Sequence, residues 1–293
     1  MQPRHILLAL LVAVIWGVNF TVITIGLGSF PPLLLASLRF ILAALPVFFL
    51  PRPKISWGRL AAISATLFLG QFGLLFTGMA VGMPPGLASV TLQSQAFLTI
   101  LIAALVLGEK PSPRQMAGTI VAFLGLIAIA ATAGGAGFSI EGLLLCLGAA
   151  LCWACGNVLL RGSGQHDMLS LIVWLSLIPP LPLFALSLLL EGPSHVSQAL
   201  LHINWGGAGA LLYISILSTL VGYAIWGHLL KLYPAATVAP FSLLVPLFGV
   251  SSAVLILGEH FTLPRMAGMA LILSGLVIVA FPLHWLSAAR PRA

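Results

Sequence analysis

The 293-residue chain is 60% hydrophobic and only 6% charged, where soluble domains carry about 25% charged residues. That composition excludes a water-soluble globular protein and predicts an integral membrane protein with no separate soluble domain. The net charge of +7 does not point to nucleic acid, because the Lys and Arg residues stand singly or in small groups at the ends of apolar runs, where they orient helices.

Taken in chain order, runs long enough to cross a bilayer, about 20 residues each, fall at 5–25, 32–50, 60–82, 86–107, 115–133, 141–160, 168–190, 207–230, 236–257 and 265–284. The first continues past Trp16 to Ile25 with no small-x-small cleavage site, so it is expected to span the membrane and not to act as a signal peptide. None of the runs alternates in polarity, which predicts helices and not a barrel. Connections are mostly short, so sequential helices are expected to be antiparallel neighbours. The longest polar interval, Glu191 to Asn204, is too short to bury a core of its own. Cys146, Cys152 and Cys155 share one run and supply no disulfide framework.

The run FLTILIAALVLGEKPSPRQMAGTIVAFLGLIAI at 97–129 returns without a gap as LFGVSSAVLILGEHFTLPRMAGMALILSGLVIV at 247–279. The two share Gly108/Gly258, Glu109/Glu259, Met116/Met266, Ala117/Ala267, Gly118/Gly268 and Gly125/Gly275. Each copy reads as two membrane helices joined by a tight Gly-Glu turn. The chain is therefore expected to be a duplication, with five spans in 1–134 and five in 135–293. With the N-terminus inside, ten Lys and Arg residues lie at cytoplasmic ends and only Arg265 outside, so both termini are expected in the cytoplasm. Five is an odd number, so the second copy enters upside down: an all-α fold of ten transmembrane helices in two inverted five-helix repeats. Inverted repeats let two halves close alternate sides of a midplane site, which predicts a transporter working by alternating access.

Trp16-Gly17-x-Asn19-Phe20 in the first span, Leu38-Arg39-Phe40 with Ala43 in the second, Pro85-Gly86-Leu87-Ala88-Ser89 opening the fourth and the two Gly-Glu turns resemble the drug/metabolite transporter superfamily. Among its members the chain is most similar to the ten-helix EamA-type exporters, in particular the aromatic and neutral amino-acid exporter group. The resemblance implies a ten-helix bundle with a central cavity open to one side, and export across a bacterial inner (cytoplasmic) membrane.

Polar and aromatic residues within spans are the candidate site, since each polar group there needs a partner. Trp16 and Asn19 share a face of the first helix and Trp153 and Asn157 a face of the sixth; an aromatic and an amide from each half would suit an amphipathic solute, the alternative being helix bridging and core filling. Gln71 and Gln93 are expected to contact solute, because their counterparts 150 positions on, Val221 and Leu243, are apolar and the fold alone does not require the polarity. Gln95 points to another side of the helix from Gln93. Thr219, Tyr223 and Trp226 form a stripe at helical spacing that reads as core or as cavity lining. Arg39 has no carboxylate within a span to pair with; it reads as structural, bonding helix-end carbonyls or cavity water, or alternatively as a bidentate site for a solute carboxylate. Pro85, Pro240 and Pro246 are candidate hinges, since proline frees a backbone carbonyl; a packing kink is the competing reading.

Cys152-Trp153-Ala154-Cys155 has metal or redox spacing but no third ligand nearby, so small packing residues are the expectation and no metal is predicted. There is no phosphate-binding loop and no His-Glu-x-x-His pattern, so neither ATP hydrolysis nor metalloprotease chemistry is expected, and no cofactor is implied. None of the five acids lies at the midplane, which disfavours proton coupling through a membrane-centre carboxylate. The reading is an exporter, not an enzyme, for amino acids or similar neutral or zwitterionic solutes, partnered by the lipid bilayer and compatible with a monomer. The rivals are a multidrug or other metabolite exporter and, from another class, an intramembrane enzyme or lipid-handling protein, which would need a polar catalytic pair on facing helices.

Overall fold

The structure is a computed structural model and describes residues 1–132, 139–161, 163 and 166–280. The boundary at 134/135, the far ends of the spans expected at 115–133 and 265–284, and Arg290 and Arg292 lie outside the described residues.

Ten helices among the described residues are long and apolar enough to cross a bilayer. They are α1 (Pro3–Leu27), α2 (Pro32–Phe49), α3 (Trp57–Ala80), α4 (Pro85–Leu107), α5 (Pro113–Ala130), α6 (Ile140–Arg161), α7 (Met168–Leu190), α8 (Trp205–Leu232), α9 (Ala239–Leu257) and α10 (Leu263–Ala280). Each matches one apolar run to within a few residues, because hydrocarbon requires every backbone polar group to be satisfied within the segment. The bundle's outer wall is apolar: Leu105, Leu181, Leu189 and Leu255 are each more than three-quarters exposed, as a lipid-facing surface should be.

Starts and stops follow local chemistry. Pro3, Pro32, Pro85 and Pro113 sit in first turns, where the missing N–H is one the helix would leave unpaired anyway. Ser112 and Gln115 form a reciprocal capping box at the start of α5. Gly108 and Gly258, both at φ 66°, end α4 and α9 in the left-handed conformation that glycine adopts without penalty. The interval after α7 is not a loop: it holds a short helix, Pro193–Leu201, with Val196 buried.

Most of the packing is between helices distant in sequence. The main pairs are α5 with α10, α3 with α6, α1 with α9, α1 with α8, α4 with α6, α4 with α9 and α2 with α7. The expectation that sequential helices would be the principal neighbours is therefore corrected. A short connection fixes only where two ends lie. In a bilayer, with little hydrophobic drive between helices, the contact goes to whichever faces allow close approach, and here glycines provide them. A Cβ on Gly118 would lie 2.7 Å from the Gly275 carbonyl oxygen and one on Gly125 2.6 Å from that of Gly268, so α5 and α10 meet backbone to backbone. Gly17 does the same for α1 against α9, and Gly78 and Gly142 for α3 against α6.

Six helices are irregular, in three corresponding pairs. In the second span of each half, α2 ends in a 3-10 stretch, Leu45–Phe49, and α7 is broken between Leu175 and Pro180. The third span of each half contains a π-helical stretch, Ala65–Gly70 in α3 and Tyr213–Val221 in α8. At their ends the N–H groups of Gln71 and Gly222 reach back five residues, to the carbonyls of Thr66 and Leu217. The fourth span of each half is interrupted as well. In α4 the regular helix stops at Thr91 and resumes at Ser94, and α9 begins as a 3-10 turn, Ala239–Leu244, before Val245.

Contacts between connections fix the two ends of the bundle. The N-terminal residues meet the α8–α9 connection through Tyr233, and Glu109 after α4 meets Arg161 at the end of α6. At the opposite end Ser29 meets Asn204, and Glu259 after α9 meets Gly86 at the start of α4.

Candidate functional site

Every acid in the chain lies near a helix end, and the structure gives four of them definite work. Glu109 pairs with Arg161 and Asp167 with Lys231. The hydrogen bond from Lys231, then the Ser170 N–H, hold the Asp167 carboxyl below its usual range. Glu191 accepts the N–H groups of Leu33 and Leu34 at 2.7 and 3.3 Å, capping the start of α2. Glu259 accepts the Gly86 N–H at 3.0 Å, capping α4; burial raises its pKa, opposed by that hydrogen bond and by Arg265. Both carboxylates sit where a helix dipole favours negative charge. Glu141 lies in the first turn of α6.

No acid is thus left for Arg39, which is 2% exposed in α2. Its Nε donates to Thr219 Oγ1 at 3.0 Å, and Thr219 in turn donates to the Ile214 carbonyl five residues back along the π-helical stretch. The guanidinium lies 4.1 Å from the centroid of Phe72, a cation–π contact. Its Nη1 is buried with no partner among the described residues. The expected bond to helix-end carbonyls is replaced by a bond to a mid-helix hydroxyl, because the widened turn of α8 presents Thr219 to α2.

Beside it, Trp16 packs on Tyr223 and Trp226 with centroids 5.1 and 5.3 Å apart. Its indole N–H donates 3.0 Å to the Ser218 carbonyl within the π-helical stretch. Gly222 makes room, since a Cβ there would lie 2.6 Å from Trp16 Nε1. Tyr223 is also an electrostatic neighbour of Arg39. The stripe of α8 is therefore divided, with Thr219 serving Arg39 and Tyr223 and Trp226 serving Trp16. All lie well inside their helices, so α1, α2, α3 and α8 bring one cation and four aromatic rings, Trp16, Phe72, Tyr223 and Trp226, together in the bundle interior.

The α6 candidates are placed differently. Asn157 donates to Gln95 Oε1 at 2.9 Å and to Thr99 Oγ1 at 3.3 Å, bridging α6 to α4. Trp153 is half-buried and packs against the main core, while Cys152 fits against Gly70 at the end of the other π-helical stretch. Among the described residues no cluster of metal-ligating side chains forms. Gln71 is buried where α3 regains regular winding, next to Phe72, and Gln93 is buried at the interruption of α4. Asn19 is buried with Oδ1 unpartnered among the described residues. Pro240 lies in the 3-10 turn and Pro246 in the first turn of the regular part of α9. Pro85 opens α4 and lies outside that helix's interruption.

Sequence reasoning missed Phe72, which stacks on Arg39, and Gln95, which takes the bond from Asn157. The interruption of α4 carried no signal, because the residues there, Leu92 and Gln93, are ordinary helix formers.

Comparison with known proteins gives a consistent result. The model of the EamA-like transporter family matches residues 3–131 and 140–281. A Salmonella typhimurium protein named "Probable amino-acid metabolite efflux pump" is 45% identical over 287 residues, covering 96% of each chain. An Escherichia coli protein of the same name is 42% identical, covering 99% of each. One solved crystal structure superposes over 99% of this chain and 100% of its own at a TM-score of 0.63 and 20% identity, a likeness of fold.

Proposed function

We propose that this chain, which belongs to the EamA-like transporter family, exports amino acids or closely similar zwitterionic metabolites across a bacterial inner membrane. The observation that carries this reading is the buried guanidinium of Arg39, with Nη1 unpartnered among the described residues and every acid placed elsewhere. A buried cation lacking a counter-ion is costly. A solute carboxylate supplies one, in the bidentate geometry that guanidinium favours. The rings of Trp16, Tyr223 and Trp226 provide an apolar wall for the side chain, Asn19 Oδ1 an acceptor for the ammonium group, and Gln71 and Gln93 further amide contacts. Asn157 bridges α6 to α4, and Trp153 packs against the main core. The names of the two bacterial relatives support the choice of solute.

The two halves, 1–134 and 135–293, act in this reading as an inverted repeat with the basic end of the bundle in the cytoplasm. Alternating access comes from movement at the paired irregularities: the π-helical stretches of α3 and α8, and the interruptions of α4 and α9, with Pro240 and Pro246 in the last. Helices change register at such places with little loss of hydrogen bonding. Export then follows the gradient of the solute itself.

The test is to compare a neutral amino acid with its carboxamide as competitors for transport in proteoliposomes. The free acid should compete at least about tenfold better, the value of a charge-assisted hydrogen bond. Equal competition would remove Arg39 from solute binding.

A further inference from the structure

The fourth spans of the two halves correspond position by position at an offset of 150, yet their first turns are held differently. In the first half the opening turns of α4, Pro85–Thr91, are buried throughout, clamped by the end of α9 and the turn that follows it. Glu259 Oε2 accepts the Gly86 N–H at 3.0 Å. The Phe261 ring crosses the same glycine, so close that a Cβ there would lie 2.5 Å from Cζ. One turn deeper, a Cβ on Gly249 of α9 would lie 2.6 Å from Ser89 Cβ. Ser89 is 1% exposed, and its hydroxyl is spent on the Gly86 carbonyl.

The equivalent positions in the second half lie at the opposite end of the bundle, and there the arrangement is open. Leu87 and Ser89 correspond to Thr237 and Ala239, both exposed. Glu109, the counterpart of Glu259, is bonded to Arg161 at the end of α6, and Pro111 stands in the place of Phe261. The regular part of α9 packs on Pro85–Thr91. Among the described residues the 3-10 turn that begins α9 has no comparable packing on the Ser94–Leu107 part of α4. The two helices are thus joined at one end and apart at the other, with both interruptions between.

We propose that Glu259 and Phe261 are the outer latch of the transporter. They hold the α4–α9 contact shut at the end carrying the α9–α10 turn while the Ala239 end is open. Their release, together with closure around Ala239, is the step that turns the solute site outward. The proposal rests on the alternating-access reading above, and its test needs no solute. One carboxylate-to-backbone bond and one ring contact make a latch weak enough for a solute's preference between two states to overcome, as such an exchange requires.

The full chain, with Cys146, Cys152 and Cys155 replaced by alanine, is placed in lipid nanodiscs, which leave both faces open to a water-soluble maleimide. It carries one new cysteine, Ser89→Cys or Ala239→Cys. With the latch intact, Ala239→Cys should react at least about tenfold faster than Ser89→Cys. Glu259→Ala or Phe261→Ala should raise labelling of Ser89→Cys about fivefold or more. Glu259→Gln, which keeps an acceptor for the Gly86 N–H, should raise it less. Glu259→Ala and Phe261→Ala combined should also lower labelling of Ala239→Cys at least about twofold, an opposite change that local loosening does not produce. Equal reactivity of the two cysteines with the latch intact would overturn the proposal. So would a rise at Ser89 in the combined variant with no fall at Ala239, or a rise at both positions. Failure of every amino acid to exchange would remove the transport reading and leave this labelling comparison standing.

Discussion

Replacing Arg39 with Gln separates the two roles open to this residue. In the folded protein the change removes the Nε bond to Thr219 Oγ1, a net loss of about 1 kcal/mol, and the contact 4.1 Å from Phe72, about 0.5–2 kcal/mol. Against these losses stands relief of a buried cation whose Nη1 has no partner among the described residues. The variant should therefore fold, with a melting temperature in detergent within a few degrees of the parent. Solute recognition should suffer far more. A hydrogen bond from a charged donor to a carboxylate is worth about 1.5–3 kcal/mol, which is roughly a 10- to 150-fold rise in the half-saturating amino-acid concentration. The carboxamide, which never uses the charge, should change by less than about threefold. Arg39→Lys should fall between, because a point charge keeps the cation but loses the two-pronged geometry. The assay is competition in proteoliposomes for free acid and amide side by side. Equal weakening of both would show Arg39 to be a purely structural residue.

Other outcomes follow from particular contacts. Gly125→Leu forces a side chain onto the Gly268 carbonyl and should cost about 1–3 kcal/mol or more, read as a lower melting temperature. Gly209→Ala, with nothing within 4 Å of the new Cβ, should stabilise α8 by about 0.5–1 kcal/mol. Because burial raises the Glu259 pKa, the folded state holds this proton more tightly than the unfolded state. Its contribution to stability is greatest below the ordinary glutamate range and declines as pH rises through the folded pKa. Glu259→Gln, still able to accept the Gly86 N–H, should flatten that pH dependence of thermal stability; an unchanged profile would contradict it. Asn157→Leu removes the bridge to Gln95 and Thr99 and should cost about 0.6–1.7 kcal/mol while leaving the half-saturating solute concentration unchanged.

Much of the fold was legible because the bilayer restricts the choices. Apolar length located the ten spans, and the Gly-Glu turns at 108–109 and 258–259 marked the ends of α4 and α9. The partners of helices were not legible, since Gly118, Gly125, Gly268 and Gly275 permit close approach without saying to which neighbour. The π-helical stretches were hidden for a similar reason: Ala65–Gly70 and Tyr213–Val221 contain ordinary helix residues, and the extra residue per turn is stabilised by what packs there, Cys152 against Gly70 and Trp16 against Gly222. Within the site, Trp16, Tyr223, Trp226 and Arg39 stood out as costly groups in an apolar chain. Asn157 stood out equally, and only the positions of Gln95 and Thr99 reveal that its amide is occupied. The capping roles of Glu191 and Glu259 depend on residues more than 150 positions away, beyond any local pattern.

The central claim is tested most directly by counterflow. Purified protein in proteoliposomes loaded with unlabelled amino acid should take up labelled aromatic and neutral amino acids faster than protein-free vesicles, with uptake abolished by a large excess of the same solute outside. Failure of every one of the twenty amino acids to exchange would contradict the account.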